Sequence, residues 1–243
     1  MKKGALLNHL IAKTHPEWHA ILENALACMD QNYLQEIEKS ANWLPGLDRL
    51  FAAFQWPLSK VRYILLGESP YPRAQSANGY AFWDNAVKSL WSAKGLSKEV
   101  NRATSLRNFI KMLLLTRGDL KENDLSQAAI AKLDKSHYCQ TAEQLFLNML
   151  HQGFLLLNAT LVFSQPVRLH AKQWRPFMAS LLKQLADYNP SLQLILFGYF
   201  AAQIPETKLF KSLTSEHPYN ISFITNPDVL DFFKPLNLLN CHE

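Results

Sequence analysis

Residues 61–82 read VRYILLGESPYPRAQSANGYAF, and this stretch decides the fold. It opens with the apolar run Val61–Leu66, which predicts a buried strand that ends at the following glycine. The loop Gly67–Pro72 carries two prolines, whose fixed backbone angles hold Ser69 and Tyr71 extended. Because open α/β sheets bind ligands at the carboxyl ends of their strands, this rigid polar loop is a candidate functional loop. Taken alone, the stretch is equally compatible with an ordinary strand and turn.

Two more apolar runs have the same form. Phe154–Leu157 is followed by Asn158, and Leu192–Phe197 by a glycine, so both predict buried strands with a polar carboxyl end. Apolar residues at helical spacing predict helical regions within 5–55, 106–115, 141–151 and 175–188. Ser105 is the predicted N-cap of the second region, and the polar residues 116–140 predict a loop with short helix. The fold class is therefore α/β, with a central, mainly parallel four-stranded sheet flanked by helices in three layers.

Length and composition indicate one globular domain. The chain has 243 residues, of which 48% are hydrophobic and 19% charged, enough for a full α/β core. We expect a single domain over residues 1–243, with N-terminal helices in 1–57 and the sheet and functional motifs in 58–243. No internal repeat, low-complexity tract or linker divides it.

The charge and the cysteine content limit which binding partners and which cellular compartment we expect. The formal net charge of +5 and a pI near 9.0 permit a polyanionic partner without requiring one. The cysteines Cys28, Cys139 and Cys241 are scattered, so we expect neither a disulfide framework nor a metal site, and no cofactor is indicated. The basic start lacks a signal-peptide core, and no apolar run is long enough to span a membrane. We therefore expect a cytoplasmic protein with no membrane partner.

The loop at 67–72 and the residues after it resemble a motif of uracil-DNA glycosylases. In that family the water-activating loop reads G-Q-D-P-Y-H and leads on to G-x-A-F. The interval from Tyr71 to Phe82 has the family's length. The matching positions are Gly67, Pro70, Tyr71, Ala77, Gly79, Ala81 and Phe82. Glu68, Ser69 and Pro72 depart from it, since the family has Gln, the catalytic Asp and His there.

Four further blocks resemble the family in the same order along the chain. Leu155–Asn158 is the family's L-L-L-N, and the third predicted strand resembles L-L-W-G. The family's S-L-x-N is matched by Ser105, Leu106 and Asn108, and its H-P-S-P-L-S by His217, Pro218 and Ser222, with Ile221 in place of Leu. Tyr199 stands where the family often has a phosphate-contacting Ser, and His170 echoes a histidine that we interpret as structural. The resemblance covers roughly residues 60–240.

The resemblance implies a DNA repair glycosylase that flips uracil out of the stack and hydrolyses its glycosidic bond. Phe82 would stack on the base, Asn158 would read its imide and carbonyl edge, and Tyr71 would exclude the methyl group of thymine. His217 would donate a hydrogen bond to the uracil carbonyl as negative charge develops there. Ile221 would fill the gap that the flipped nucleotide leaves, and Ser105 and Ser222 match DNA-contacting segments. Single- or double-stranded DNA is the implied partner, and we expect a monomer.

The missing carboxylate leaves two function hypotheses open. A carboxylate stabilises the cation-like sugar in the transition state, and Ser69 supplies none. Other branches of the superfamily carry G-E-A-P at this loop, which Gly67–Pro70 resembles, so Glu68 either supplies the charge or is a solvated loop residue. The chain is then either a glycosylase with reduced or altered activity, or an inactive descendant that binds DNA or a protein. A small-molecule hydrolase lacks its G-x-S-x-G elbow, and a metalloenzyme lacks clustered ligands.

Overall fold

The structure of the protein is a computed structural model that describes residues 5–40, 42–199 and 203–240. The contacts between residues divide the chain into two compact units. The first unit takes in the described parts of Met1–Asp84, Gly153–Ile195 and Phe200–Ser212. The second takes in the described parts of Asn85–Gln152, Leu196–Tyr199 and Leu213–Glu243.

Four strands form the central sheet, in the order β4–β1–β5–β6, and two more form a small antiparallel hairpin, β2–β3. The six strands are β1 (Tyr63–Gly67), β2 (Trp91–Ser92), β3 (Gly95–Leu96), β4 (Phe154–Asn158), β5 (Gln193–Phe197) and β6 (Lys211–Ser215). β1 and β4 are parallel, with Tyr63 opposite Phe154 and Gly67 opposite Asn158. The predicted fold class, a mainly parallel four-stranded sheet flanked by helices, is confirmed.

The first strand begins two residues later than its apolar run. Val61 closes a 3-10 turn at Leu58–Lys60, and its N–H bonds to the Leu58 carbonyl at 2.9 Å. The extended ladder therefore starts at Tyr63. The side chains of Ile64, Leu65 and Leu66 are buried, as the apolar run predicts.

Nine α-helices are described: α1 (Ala5–Ile11), α2 (His19–Ala27), α3 (Gln31–Lys39), α4 (Lys98–Arg102), α5 (Thr104–Thr116), α6 (Gln127–Ala131), α7 (Ala142–His151), α8 (Val167–Tyr188) and α9 (Pro227–Phe233). α8 begins at Val167 rather than at the predicted Arg175, and it continues through Pro176. Proline removes one backbone donor from a helix. The fully buried Trp174 and Phe177, whose rings lie 5.1 Å apart, anchor the helix on either side of it.

The prediction that Ser105 caps a helix is wrong. α4 ends at Arg102, and its C-cap residue, Ala103, is also the N-cap of α5, without a side-chain hydrogen bond. Ser105 consequently lies inside the first turn of α5 rather than before it. The serine that does cap is Ser97, which accepts the N–H of Val100 at the start of α4.

Each unit has its own aromatic core. In the first, Trp18 and Phe54 meet edge to face at 5.0 Å, and α2 packs against α8. In the second, α5 packs against α9 and against the 3-10 turn Ile221–Thr225, and Phe109 meets Phe233 at 5.3 Å. Burying a large apolar side chain contributes roughly 1.5–3 kcal/mol. The packing of α5 therefore fixes the segment just before α9.

No helix in the described ranges combines the length and apolarity needed to cross a bilayer.

Candidate active site

The ends of β1 and β4 lie side by side in the first unit. Gly67 and Asn158, their last residues, are partners in the parallel ladder. A Cβ built on Gly67 would lie 2.7 Å from Asn158 Oδ1 and 3.0 Å from the Cβ of Ala81. The missing side chain of Gly67 therefore makes the space that the Asn158 amide occupies. The Ala159 N–H donates to the Gly67 carbonyl at 2.8 Å and holds the two strand ends together.

Asn158 presents an amide without a partner. The residue is only 3% exposed, and no described residue donates to or accepts from its side chain. Among the described residues, the one buried side-chain polar atom without a partner is Ser76 Oγ, so the polar atoms of the Asn158 amide reach solvent. An Asn amide offers a donor and an acceptor together. The end of β4 therefore presents a hydrogen-bond donor and an acceptor to solvent.

Glu68 and Ser69 follow β1, at the positions compared with a catalytic carboxylate. The Glu68 carbonyl accepts the N–H of Thr160 at 3.0 Å, which fixes the backbone, while the Glu68 side chain is exposed. Ser69 is half-buried. Among the ion pairs found between described residues, none includes Glu68. The Glu68 carboxylate is therefore solvated.

Tyr71 and Phe82 are joined across the rest of the loop. The Tyr71 hydroxyl donates to the Phe82 carbonyl at 3.2 Å. Phe82 has a φ of 65°, a left-handed conformation that is uncommon for an aromatic residue and that surrounding structure has to hold. Burial, and then the charge of Asp84, raise the pKa of Tyr71 well above its ordinary value, against the opposing effect of Arg73. The hydroxyl therefore stays protonated and keeps its hydrogen bond.

His217 lies in the second unit and follows β6 by two residues. The N–H of Tyr219 donates to Nδ1 of His217 at 3.1 Å. The ring packs beside Gly198, where an added Cβ would lie 3.3 Å from the Cβ of His217. Partial desolvation lowers the pKa of His217 below its ordinary value, although the side chain reaches solvent. At neutral pH the imidazole is therefore uncharged, with Nδ1 accepting and the proton on Nε2 available to a ligand.

Asn108 holds the His217 segment in place. It is 3% exposed, and its Nδ2 donates to the carbonyl of Pro218 at 2.8 Å and to those of Tyr219 and Asn220 at 3.4 Å each. The sequence contained this signal, because Asn108 is the last residue of the S-L-x-N block. The resemblance implies a DNA contact for Ser105, one turn earlier on α5, and assigns no role to Asn108. Asn108 is a positioning residue that the sequence reasoning missed.

The predicted DNA-contacting residues Ile221 and Ser222 follow directly. Ile221 is 77% exposed, which is unusual for an isoleucine and is compatible with a wedge. Ser222 is also exposed, but its side chain donates to Glu216. Partial burial raises the pKa of Glu216, yet hydrogen bonds from Ser222 and Asn226 outweigh this effect and lower it overall. Ser222 therefore has a structural partner in addition to its predicted role.

His170 lies in a buried hydrogen-bonded chain in the first unit. Its Nδ1 is 2.6 Å from the Tyr33 hydroxyl and its Nε2 is 2.6 Å from Ser164 Oγ. Trp174 donates to the same Tyr33 hydroxyl at 3.0 Å. Burial lowers the pKa of His170. These contacts give it a structural place, and the described residues contain no group of His, Cys, Asp and Glu suited to a metal ion.

Neither of the described cysteines, Cys28 and Cys139, forms a disulfide with the other, and Cys241 lies outside the described residues.

A mainly parallel sheet flanked by helices defines an α/β protein. The family model of the Uracil DNA glycosylase superfamily matches residues 55–238. The chain therefore belongs to this superfamily.

Individual proteins resemble the chain over most of its length. The wild-type UNG crystal structure from Nitratifractor salsuginis is 41% identical, with a TM-score of 0.92 and 97% of each chain covered. A uracil-DNA glycosylase of Mycoplasma genitalium is 26% identical over 246 residues, covering 96% of this chain and 88% of the relative. One of Streptococcus mutans is 24% identical over 218 residues, covering 86% and 85%. The mimivirus uracil-DNA glycosylase, 20% identical with a TM-score of 0.57, shares the fold over 87% of this chain and 71% of its own.

Proposed function

We propose that this protein is a uracil-DNA glycosylase that flips uracil out of DNA and hydrolyses its glycosidic bond at a reduced rate. The unpaired amide of Asn158 carries the proposal, since it offers the donor and acceptor pair that the edge of uracil requires. Superfamily membership over residues 55–238 supports it, as do relatives named uracil-DNA glycosylase.

The first unit recognises the base. Asn158 reads the imide N–H and a carbonyl, Phe82 stacks on the ring, and Tyr71 excludes a methyl group at C5. The rigid connections of these residues support such a role, because the Asn158 amide is wedged against Gly67 and Tyr71 is bonded to Phe82. Positioning of this kind fixes the base before the bond breaks.

His217 assists departure of the base. As the glycosidic bond lengthens, negative charge accumulates on the uracil carbonyl beside the bond, and a fixed donor there lowers the barrier. Tyr219 occupies Nδ1, so the neutral ring donates through Nε2. The lowered pKa keeps the ring neutral over the physiological range. A neutral donor stabilises the departing anion without giving up a proton to it.

The missing carboxylate sets the rate. At about 4 Å and an effective dielectric near 20, a carboxylate–cation interaction is worth roughly 4 kcal/mol, or about a thousandfold in rate. Ser69 supplies no charge, and the exposed Glu68 side chain acts through solvent. In bulk water the same interaction is worth only about 1 kcal/mol. Glu68 therefore replaces a small part of the lost stabilisation.

The remaining partners follow from the substrate. DNA phosphates bind mainly through lysine and arginine, in keeping with the net charge of +5, so affinity falls with added salt. Ser105, Ser222 and Ile221 contribute DNA contacts in this proposal. The protein acts as a cytoplasmic monomer, as a single domain over 1–243, and takes no cofactor or membrane partner.

The test is release of uracil from labelled single- and double-stranded oligonucleotides by wild type, Ser69→Asp and Glu68→Gln. We expect slow release by wild type and a gain of up to about a thousandfold in Ser69→Asp. Ser69→Asn, whose side chain has the shape of aspartate without its charge, should show no gain in rate. Glu68→Gln should lower the rate by up to about fivefold, and Glu122→Gln, an exposed carboxylate elsewhere, should have no effect.

Absence of release by wild type and by Ser69→Asp, with both proteins folded, would contradict the glycosylase proposal. DNA binding without release in those same samples would favour the inactive, DNA-binding descendant. That alternative rests on the single observation that Ser69 stands at the position of the catalytic carboxylate.

A further inference from the structure

Large apolar side chains exposed in the described part of the second unit are confined to one region. They are Tyr199, Ile221 and Tyr219, which are 88%, 77% and 67% exposed. Four other tyrosines, Tyr33, Tyr71, Tyr80 and Tyr138, have ring or hydroxyl partners. Neither Tyr199 nor Tyr219 has a ring contact or a side-chain hydrogen bond to a described residue. Two aromatic rings are thus held in water, where their apolar surface is unfavourable.

Both tyrosines are tied to His217, from different segments. The N–H of Tyr219 donates to His217 Nδ1 at 3.1 Å. Tyr199 follows Gly198, which packs against the His217 ring and whose N–H donates to the Ser215 carbonyl at 2.9 Å. The Tyr219 ring therefore starts from backbone that contacts His217, and the Tyr199 ring starts one residue after backbone that does.

We propose that Tyr199 and Tyr219 are stacking platforms for the nucleobases next to the target when the DNA is single-stranded. The inference rests on the proposed function for the identity of the ligand. Aromatic side chains bind single strands by stacking on successive bases, whatever their sequence. In a duplex the faces of the neighbouring bases are already stacked on each other, so the rings gain less there. Single-stranded DNA is the ligand whose exposed rings complement a pair of exposed rings on the protein.

The test measures equilibrium binding of a fluorescein-labelled oligonucleotide that carries a stable abasic analogue, as a single strand and as a duplex. For the single strand we expect Tyr199→Ala and Tyr219→Ala each to weaken binding roughly 5- to 150-fold. Tyr199→Phe, which keeps the ring, should bind within about twofold of wild type, the expectation if stacking rather than the hydroxyl matters. The matched control is Tyr188→Ala, which removes a 51% exposed tyrosine from the end of α8 in the first unit and should change nothing. For the duplex, the two alanine variants should lose less affinity than for the single strand.

Three results would overturn the inference: unchanged single-strand affinity in both alanine variants, equal losses for single strand and duplex, or no single-strand binding by wild type. Because the oligonucleotide cannot be cleaved, its binding is independent of catalysis. A wild type that releases uracil, with alanine variants that bind normally, would refute the stacking role and leave the glycosylase proposal standing. A selective loss of single-strand binding in the alanine variants, without any uracil release by wild type, would support the stacking role and contradict the glycosylase proposal.

Discussion

Gly67→Ala is the substitution whose effect the structure predicts most directly. The new methyl group would lie 2.7 Å from Asn158 Oδ1, and real Cβ atoms essentially never approach closer than 3.0 Å, so the amide has to move. Gly67 lies at the end of β1 and has no positive φ, so alanine fits the backbone without strain. The substitution thus perturbs the base-reading amide rather than the loop conformation.

The expected magnitude follows from the misplaced hydrogen bonds. A polar group left unpaired on binding costs roughly 1–3 kcal/mol, which corresponds to about a 5- to 150-fold loss in uracil release. Overpacking costs roughly 1–3 kcal/mol of stability, so the melting temperature should fall by about 2–12 °C. Initial rates on a uracil-containing single strand at low substrate concentration, together with thermal melting, measure the two effects separately.

A double variant separates the two contacts of the new methyl group. The second contact is the Cβ of Ala81, at 3.0 Å. Adding Ala81→Gly removes that crowding and leaves the clash with Asn158, so stability should partly recover while activity stays low. Wild-type activity in Gly67→Ala, or full recovery of activity in the double variant, would refute the assignment of Asn158 as the base-reading residue.

Three further predictions concern other parts of the molecule. His217→Ala should remove most uracil release while the circular dichroism spectrum stays that of wild type, because the donor acts mainly in the transition state; unchanged release would exclude it from the mechanism. Ile221→Ala should slow release from duplex more than from single-stranded oligonucleotides in parallel time courses, because only a duplex has a gap to fill, and equal effects would argue against the wedge. Burial lowers the pKa of His170, so between that pKa and the ordinary value near 6.5 the unfolded chain binds more protons than the folded one. The free energy of unfolding should therefore fall with falling pH in that window, by at most about 1.4 kcal/mol per pH unit for this group. His170→Gln should flatten the pH dependence of the melting temperature, and an unaltered profile would contradict its titration as the cause.

The sequence predicted the parts of the fold that are buried and local. β1, β4 and β5 consist of apolar runs covered on both faces, and such runs are recognisable without any tertiary information. Asn158 was predictable for the same reason, since it ends one of these runs. The helix α7 was also predictable, because Thr141 and Gln144 form a capping box at its start.

The sequence did not locate the fourth strand. β6 has the residues KSLTS, and Leu213 in its centre is only half-buried. A strand at the edge of a sheet needs no apolar run, because its hydrogen bonds to one neighbour are enough to define it. Its position depends on β5, and therefore on contacts that local patterns do not contain. The role of Asn108 was hidden for a similar reason, since its partners lie about 110 residues away along the chain.

The way in which Asn108 holds the His217 segment has a consequence for how this protein can evolve and be engineered. All three acceptors of its amide are main-chain carbonyls, those of Pro218, Tyr219 and Asn220. The path of the segment consequently depends little on which side chains residues 219 and 220 carry. Selection, or a combinatorial library at 219–221, is therefore free to exchange the groups that face the nucleic acid while the frame beneath them stays intact. Variation at Asn108 itself would disturb every one of those positions at once.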